Sequence, residues 1–150
     1  MSMKSETNIQ RSFEVLDLQQ LMSVFEKEFE WEAFESPPQS YLAGMLEMKN
    51  FMVVVAKKGD IVVGGLTVYV LQHYTTIKPI AYLYDLAVSK THQREGIGKK
   101  LIEYTTAYCK DLGFEELFVQ VHLSDVEAIE FYRATHFDDE QGVLHFTYQL

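Results

Sequence analysis

Leu86-Ala87-Val88, a short connection, then Gln93-Arg94-Glu95-Gly96-Ile97-Gly98-Lys99-Lys100 is the stretch on which the fold turns. An apolar strand runs into a loop with two glycines, and helical spacing starts in the second half of that loop. Ile97, Leu101, Thr105, Tyr108 and Leu112 share one helix face, and Gly113 is placed to end it. A helix start leaves N–H groups without partners and carries the positive end of the helix dipole, so the junction suits an anion. Gly96 and Gly98 let backbone approach a phosphate without Cβ interference, and Arg94, Lys99 and Lys100 add charge-assisted contacts. A P-loop would need Gly-Lys-Ser/Thr after a longer glycine loop, and Gly98-Lys99-Lys100 does not supply it. A dinucleotide fold would need a third glycine where Leu101 stands. A tight turn with a solvated basic face fits the same residues equally well.

Outward from this junction, the middle of the chain reads as sheet. Phe51–Ala56 and Ile61–Leu71 are rich in β-branched and aromatic residues, with Lys58-Gly59-Asp60 as a hairpin between them. Ile80–Val88 is too apolar on both faces to be an edge strand. Toward the N-terminus, Arg11–Val15 reads as a first strand. Asp17 is placed to cap a helix carrying Leu18, Leu21, Met22, Phe25 and Phe29, and Ser40 to cap a second carrying Tyr41, Leu42, Met45 and Leu46. Pro37-Pro38 separates the two. Beyond the junction come a strand at Leu117–Val121, a helix opened by Ser124 and Glu127 as a capping box, and a last strand at Val143–Tyr148. The order is βααβββαβαβ, an α/β (α+β) sandwich with a mixed sheet.

Composition limits the function. The chain has 150 residues, 47% hydrophobic and 23% charged, which predicts one globular domain over 1–150 with residues 1–10 as a flexible N-terminal segment. It has no apolar run long enough for a bilayer and no signal-peptide core, and its one cysteine forms no internal disulfide. A cytoplasmic protein with no membrane partner is the expectation. A net charge of -9 repels nucleic acid over most of the surface. Residues 1–50 hold nine acids and four bases and residues 103–150 hold ten and two, while Lys90, Arg94, Lys99 and Lys100 face only Glu95 between positions 89 and 100. That basic island suggests one anionic ligand at one place. His73, His92, His122, His136 and His145 show no metal-site spacing, and Cys109 reads as core, so no metal is expected.

The pattern Gln-x-x-Gly-x-Gly at Gln93 to Gly98, behind Leu-x-Val at Leu86 to Val88, resembles the acetyl-CoA signature of the GNAT N-acetyltransferases. Ala128 and Tyr132, followed by Phe137, resemble that family's second signature, with His136 where glycine is usual. The element order is similar along nearly the whole chain. Within the family, Tyr84-Asp85-Leu86-Ala87-Val88-Ser89, Val119-Gln120, Phe131-Tyr132 and His145-Phe146 resemble the aminoglycoside 3-N-acetyltransferases of type I. Phe29 after its glutamate, Tyr41-Leu42 and Tyr69-Val70-Leu71 do so too. That group carries acids where His122, Val126 and Thr147 stand here.

The resemblance implies a GNAT fold, a central mixed and mostly antiparallel twisted sheet flanked by helices. It also implies direct acetyl transfer from acetyl-CoA to a small, cationic amine, with the 3-amino group of an aminoglycoside antibiotic first among acceptors. A polyamine or amino acid acceptor, or a module that only binds CoA, remains open. Pantetheine is expected beside Leu86, Ala87 and Val88, and the pyrophosphate on the N–H groups of Arg94, Glu95, Gly96, Ile97, Gly98 and Lys99, behind Gln93. Asp85 is the candidate base, since an acid in so apolar a strand needs a partner or a role. A hydrogen-bonded structural aspartate fits the same position. Tyr132 is the candidate donor to the leaving thiolate, although without the family it reads as a core aromatic. Asp125 either caps the last helix or touches pantetheine. Glu28, Glu30, Asp85, Gln120 and Asp125 form the candidate acceptor set. The last strand and its neighbours offer a face for a homodimer, since many members of the family form dimers.

Overall fold

The computed structural model of the chain describes residues 6–150. The elements run β1 (Thr7–Ser12), α1 (Val15–Glu28), α2 (Gln39–Glu47), β2 (Phe51–Lys58), β3 (Ile61–Leu71), β4 (Ile80–Val88), a 3-10 turn (Lys90–His92), α3 (Ile97–Asp111), β5 (Glu116–Val119) and α4 (Val126–Arg133). They fall in two compact units, Met1–Gln120 and Val121–Leu150. Among the described residues no helix is long and apolar enough to cross a membrane.

In the first unit five strands lie in the order β1-β2-β3-β4-β5, antiparallel except for β4 with β5. Strand β2 has to be apolar from Phe51 to Ala56 because both of its faces are covered there. Phe51, Val53 and Val55 pack with Leu18, Leu21 and Phe25 of α1 and with Leu42 and Leu46 of α2. Met52, Val54 and Ala56 pack with Ile97, Leu101 and Cys109 of α3 on the opposite face. The period of two in the strand thus meets the helical period on each side. Helix α1 lies very close to the sheet: a Cβ on Gly65 would stand 2.5 Å from the Val54 carbonyl oxygen and 2.8 Å from Leu21 Cδ1. Only glycine permits that approach.

Several boundaries differ from the sequence expectation. Residues 7–10, expected to precede the fold as a flexible segment, are the front of β1 and pair with β2; residues 1–5 of that segment lie outside the described residues. Asp17 does not cap α1. It sits in the first turn, buried, where it accepts from Ser12 Oγ at 2.7 Å and meets Lys57 Nζ at 3.0 Å. Its carboxylate is held by a side chain from each of two strand ends, which pulls it inward from the capping position. Pro38 rather than Ser40 precedes α2, and Asp125 rather than Ser124 caps α4. The expected last strand at 143–148 does not form. Val143, Leu144, Phe146 and Tyr148 are exposed, and the second unit holds no other strand to complete a ladder.

Candidate functional site

The site begins at an irregularity in β4. Opposite β3, Thr67 pairs with Asp85 and Val68 with Leu83, so Tyr84 is an extra residue, a β-bulge. Before it, Ala81 and Leu83 face the α3 side; after it, Leu86 and Val88 do. The parity therefore switches, and Asp85 lies on the opposite face, together with Tyr82 and Tyr84. In an unbroken strand the carboxyl group would enter the α3 core, where a charge is untenable.

On that face the rings form a continuous cluster. Tyr69 meets Tyr84 edge-on with centroids 5.3 Å apart, Tyr82 meets Tyr84 edge-on at 5.7 Å, and Tyr82 stacks on Phe118 at 4.6 Å. Burial raises the Asp85 pKa above the usual 3.8, and the phenols of Tyr69 and Tyr82 are raised by burial first, then by Tyr84 and Asp85. Among the described residues no donor reaches the Asp85 carboxyl group; its own N–H donates to Thr67 Oγ1 at 3.3 Å. Gln120 lies near the same cluster, its Oε1 accepting from the Tyr82 hydroxyl at 3.4 Å.

The bulge also marks where β4 loses a neighbour. Its parallel pairing with β5 covers Ile80 to Leu83 and stops. From Asp85 to Val88 the strand is paired with β3 alone among the described residues, which leaves backbone donors and acceptors along one edge. Leu86, Ala87 and Val88 lie on this edge. Directly beyond come the loop and α3. Arg94 and Gly96 adopt left-handed backbone, φ 65° and 78°, and Gly96 is the helix N-cap without a side-chain cap bond. Such turns gather N–H groups into an anion-binding concavity. Among the described residues the N–H groups of Arg94, Glu95, Gly96, Ile97, Gly98 and Lys99 have no acceptor. Side chains of Arg94, Lys99 and Lys100 are exposed there. Unsatisfied donors around a left-handed turn fit a diphosphate, and the free edge fits an extended amide-bearing arm.

Two carboxylates brace this loop. Glu28, at the end of α1, accepts from the Lys90 N–H at 3.0 Å and lies 3.4 Å from Gln93 Nε2, which donates to the Val88 carbonyl at 2.9 Å. Glu95 meets Lys58 Nζ at 2.7 Å and His92 Nδ1 at 3.1 Å. Glu30, the other acid expected near the acceptor, is exposed with φ 53° just past α1, between Phe29, which stacks on Phe25, and Trp31, which lies tilted against both rings.

In the second unit, Asp125 accepts from the Ala128 N–H at 3.1 Å as the N-cap of α4. Tyr132 is half-buried on α4 with its ring edge-on to Phe131, centroids 4.9 Å apart. His122, Val126 and Thr147 are exposed. Sequence reasoning did not single out Tyr69, Tyr82 or Tyr84 as a group, nor Lys58. The signal for the tyrosines was present: Ala81 and Leu83 keep one parity, Leu86 and Val88 the other, and the polar-tipped residues fall in between.

Comparison with known proteins agrees with this geometry. Residues 18–137 match the Acetyltransferase (GNAT) family. The aminoglycoside acetyltransferase meta-AAC0020 from an uncultured soil metagenomic sample, solved in complex with sisomicin, is 43% identical over 96% of both chains with a TM-score of 0.93. The aminoglycoside acetyltransferase HMB0005, also from an uncultured soil metagenomic sample, is 28% identical over 97% of this chain and 99% of that one, TM-score 0.88. The aminoglycoside N-acetyltransferase AAC(6')-Iy in complex with CoA shares the fold at 13% identity, TM-score 0.78, over 100% of this chain and 99% of that one. No curated protein matches. The free edge, the donor-lined loop and the match over most of the chain converge: the protein belongs to the GNAT family of acetyltransferases, with acetyl-CoA as its acetyl donor.

Proposed function

We propose that the enzyme acetylates a primary amine of a small polycationic acceptor, and that this acceptor is an aminoglycoside taking the acetyl group on its 3-amino nitrogen. The observation that carries the reaction is the Asp85 carboxyl group, turned by the bulge onto a face of tyrosine rings at the head of the free β4 edge. An alkyl ammonium is mostly protonated near pH 7 and must lose a proton before it can attack. Asp85 accepts that proton at its carboxylate, and the burial that raises its pKa makes it the stronger base. Acetyl-CoA, when bound, supplies a thioester carbonyl as electrophile and a thiolate as leaving group. The N–H groups of residues 94–99 hold its diphosphate, and the backbone of Leu86, Ala87 and Val88 aligns its pantetheine arm.

For the leaving sulfur we assign the Tyr132 hydroxyl as proton donor, on the family pattern. Tyr132→Phe is expected to lower turnover far more than acetyl-CoA affinity; unchanged turnover in a steady-state assay removes Tyr132 from the mechanism. The acceptor assignment is supported by the sisomicin complex of a 43% identical relative and by the tyrosine face, which suits ammonium groups through cation–π contact. Gln120, beside Tyr82, and exposed Glu30 are the further acceptor residues. Glu28 already uses both carboxylate oxygens on the loop, so its part is to hold the loop. Asp125 caps α4 and adds at most a second contact.

A second reading keeps the reaction and changes the acceptor to a polyamine or an amino acid. His122, Val126 and Thr147 favour it, because the aminoglycoside 3-N-acetyltransferases of type I, which the sequence resembles, carry acids there. Thiol release with sisomicin, gentamicin, spermidine and free amino acids separates the two. Turnover with an aminoglycoside supports the first; turnover with only the other amines replaces it with the second.

A further inference from the structure

The loop that receives the diphosphate contains its own competitor. Glu95 stands between Arg94 and Gly96, the second residue in the run of free N–H groups from 94 to 99, and its side chain has the same sign of charge as the ligand. A carboxylate able to swing over those N–H groups would occupy them, and even at a distance it would repel a diphosphate. The structure places it elsewhere. Glu95 Oε1 lies 2.7 Å from Lys58 Nζ and Oε2 lies 3.1 Å from His92 Nδ1. Lys58 comes from a different part of the sheet, the last residue of β2 at the tight turn where Gly59 has φ 60°. Its side chain is more buried than that of its partner, with exposures of 16% and 36%. Glu95 is the one ion-pair partner recorded for Lys58 among the described residues.

We propose that Lys58 is a positioning residue for the donor site: it draws the Glu95 carboxylate away from the loop N–H groups and cancels its charge. Segment 90–100 then presents Lys90, Arg94, Lys99 and Lys100 to the diphosphate without opposition. Lys58 itself touches no ligand; it acts through Glu95. The direction of the Glu95 pKa agrees, since hydrogen bonding from Lys58, then from His92, lowers it and keeps the group ionised and paired. The inference rests on acetyl-CoA as donor and not on the identity of the acceptor.

The test is a double-mutant cycle read by calorimetry, with CoA and with pantetheine, which lacks the diphosphate. One unpaired unit charge about 10 Å from a doubly charged group, at a dielectric near that of water, weakens binding about three- to five-fold. Lys58→Met should therefore weaken CoA by that factor and leave pantetheine unchanged. Adding Glu95→Gln to Lys58→Met should restore CoA affinity to within about two-fold of Glu95→Gln alone, the ordinary reading of a pair that acts as a unit. Lys58→Arg, which keeps the charge and the hairpin, should bind CoA like the parent. The Lys58→Met deficit should shrink as salt rises from 0.05 to about 0.5 M. Two results overturn the inference: CoA affinity unmoved by Lys58→Met, or a double variant as weak as Lys58→Met. The latter would make Lys58 a direct ligand or a mere hairpin support. Absence of CoA binding by the parent protein would instead strike the donor assignment itself.

Discussion

Strand β4 is two regions joined at one residue. From Ile80 to Leu83 it is paired on both sides, and Ala81 and Leu83 are fully buried. From Asp85 to Val88 it is paired on one side only among the described residues, and of its side chains only Ala87 is buried. Apart from Asp85 the residue types hardly differ, and the two halves would read as one continuous apolar strand. What separates them is whether the outer row of N–H and C=O groups already has a partner. In the first half those groups complete the sheet. In the second they remain available, so that binding an extended arm there adds a strand instead of displacing one. The bulge at Tyr84 makes the division, and it also turns Asp85 out of the core.

The strongest test of this division lies at Asp85. Asp85→Asn keeps the shape and removes the base, so kcat should fall about 10²- to 10⁴-fold while CoA affinity stays within a small factor. In the parent enzyme the acid limb of kcat/KM should lie above the ordinary carboxylate value of 3.8, because the raised Asp85 must ionise before it can accept a proton. A loss of less than about three-fold would move the base to another group. The complementary change belongs to the closed half. Leu83→Ala leaves a cavity under a side chain with no exposure, and should lower unfolding free energy by about 2–5 kcal/mol in urea titration. CoA affinity of the folded fraction should hardly move. If Leu83→Ala instead abolished CoA binding in folded protein, the two halves would not be functionally separate.

How much of this was legible in the sequence follows from where the information is local. The strand–glycine–helix junction was readable because Gly96, Gly98 and the face from Ile97 to Leu112 are set by short-range sterics and period. The buried strands β2, β3 and β4 were readable because burial on both faces demands unbroken apolar runs. Asp17 was misread as a cap because its true partners, Ser12 and Lys57, come from two different strand ends, and no local rule names them. Glu28 and Glu95 are similar cases: their contacts to Lys90 and Lys58 span 62 and 37 residues. The strand expected at 143–148 had the right alternation, but alternation makes a strand only when a neighbour is present to pair with it. The tyrosine face was hidden by the bulge, since a strict period of two sends Asp85 to the wrong side.

The bulge itself gives the next test in size. Deleting Tyr84 makes the β3–β4 ladder regular, with Asp85 directly following Leu83 and still on the tyrosine face. The right-handed twist added by the bulge is lost, so β4 should run on beside the chain leaving β5, and its free edge should narrow. With about two backbone hydrogen bonds to the arm at stake, CoA affinity should drop about ten- to a hundred-fold in calorimetry. Pantetheine should suffer the same loss, which distinguishes the edge from the diphosphate loop. Unchanged pantetheine binding would show that the edge is open for another reason.

The smallest effect has a sign that stability alone reveals. Burial raises the Asp85 pKa, so the folded protein binds the proton more tightly than the unfolded chain between 3.8 and the raised value. In that window stability falls as pH rises, and above it the penalty of a half-buried charge is present in full. Asp85→Asn carries no such charge. The variant should therefore match the parent most closely below pH 3.8, gain on it as pH rises through the raised value, and keep a constant small advantage through neutrality. Thermal unfolding of the free proteins across that range measures the difference. An Asp85→Asn protein that is less stable than the parent at pH 7 would mean that the carboxylate holds the fold together, and that the bulge serves the sheet and not the reaction.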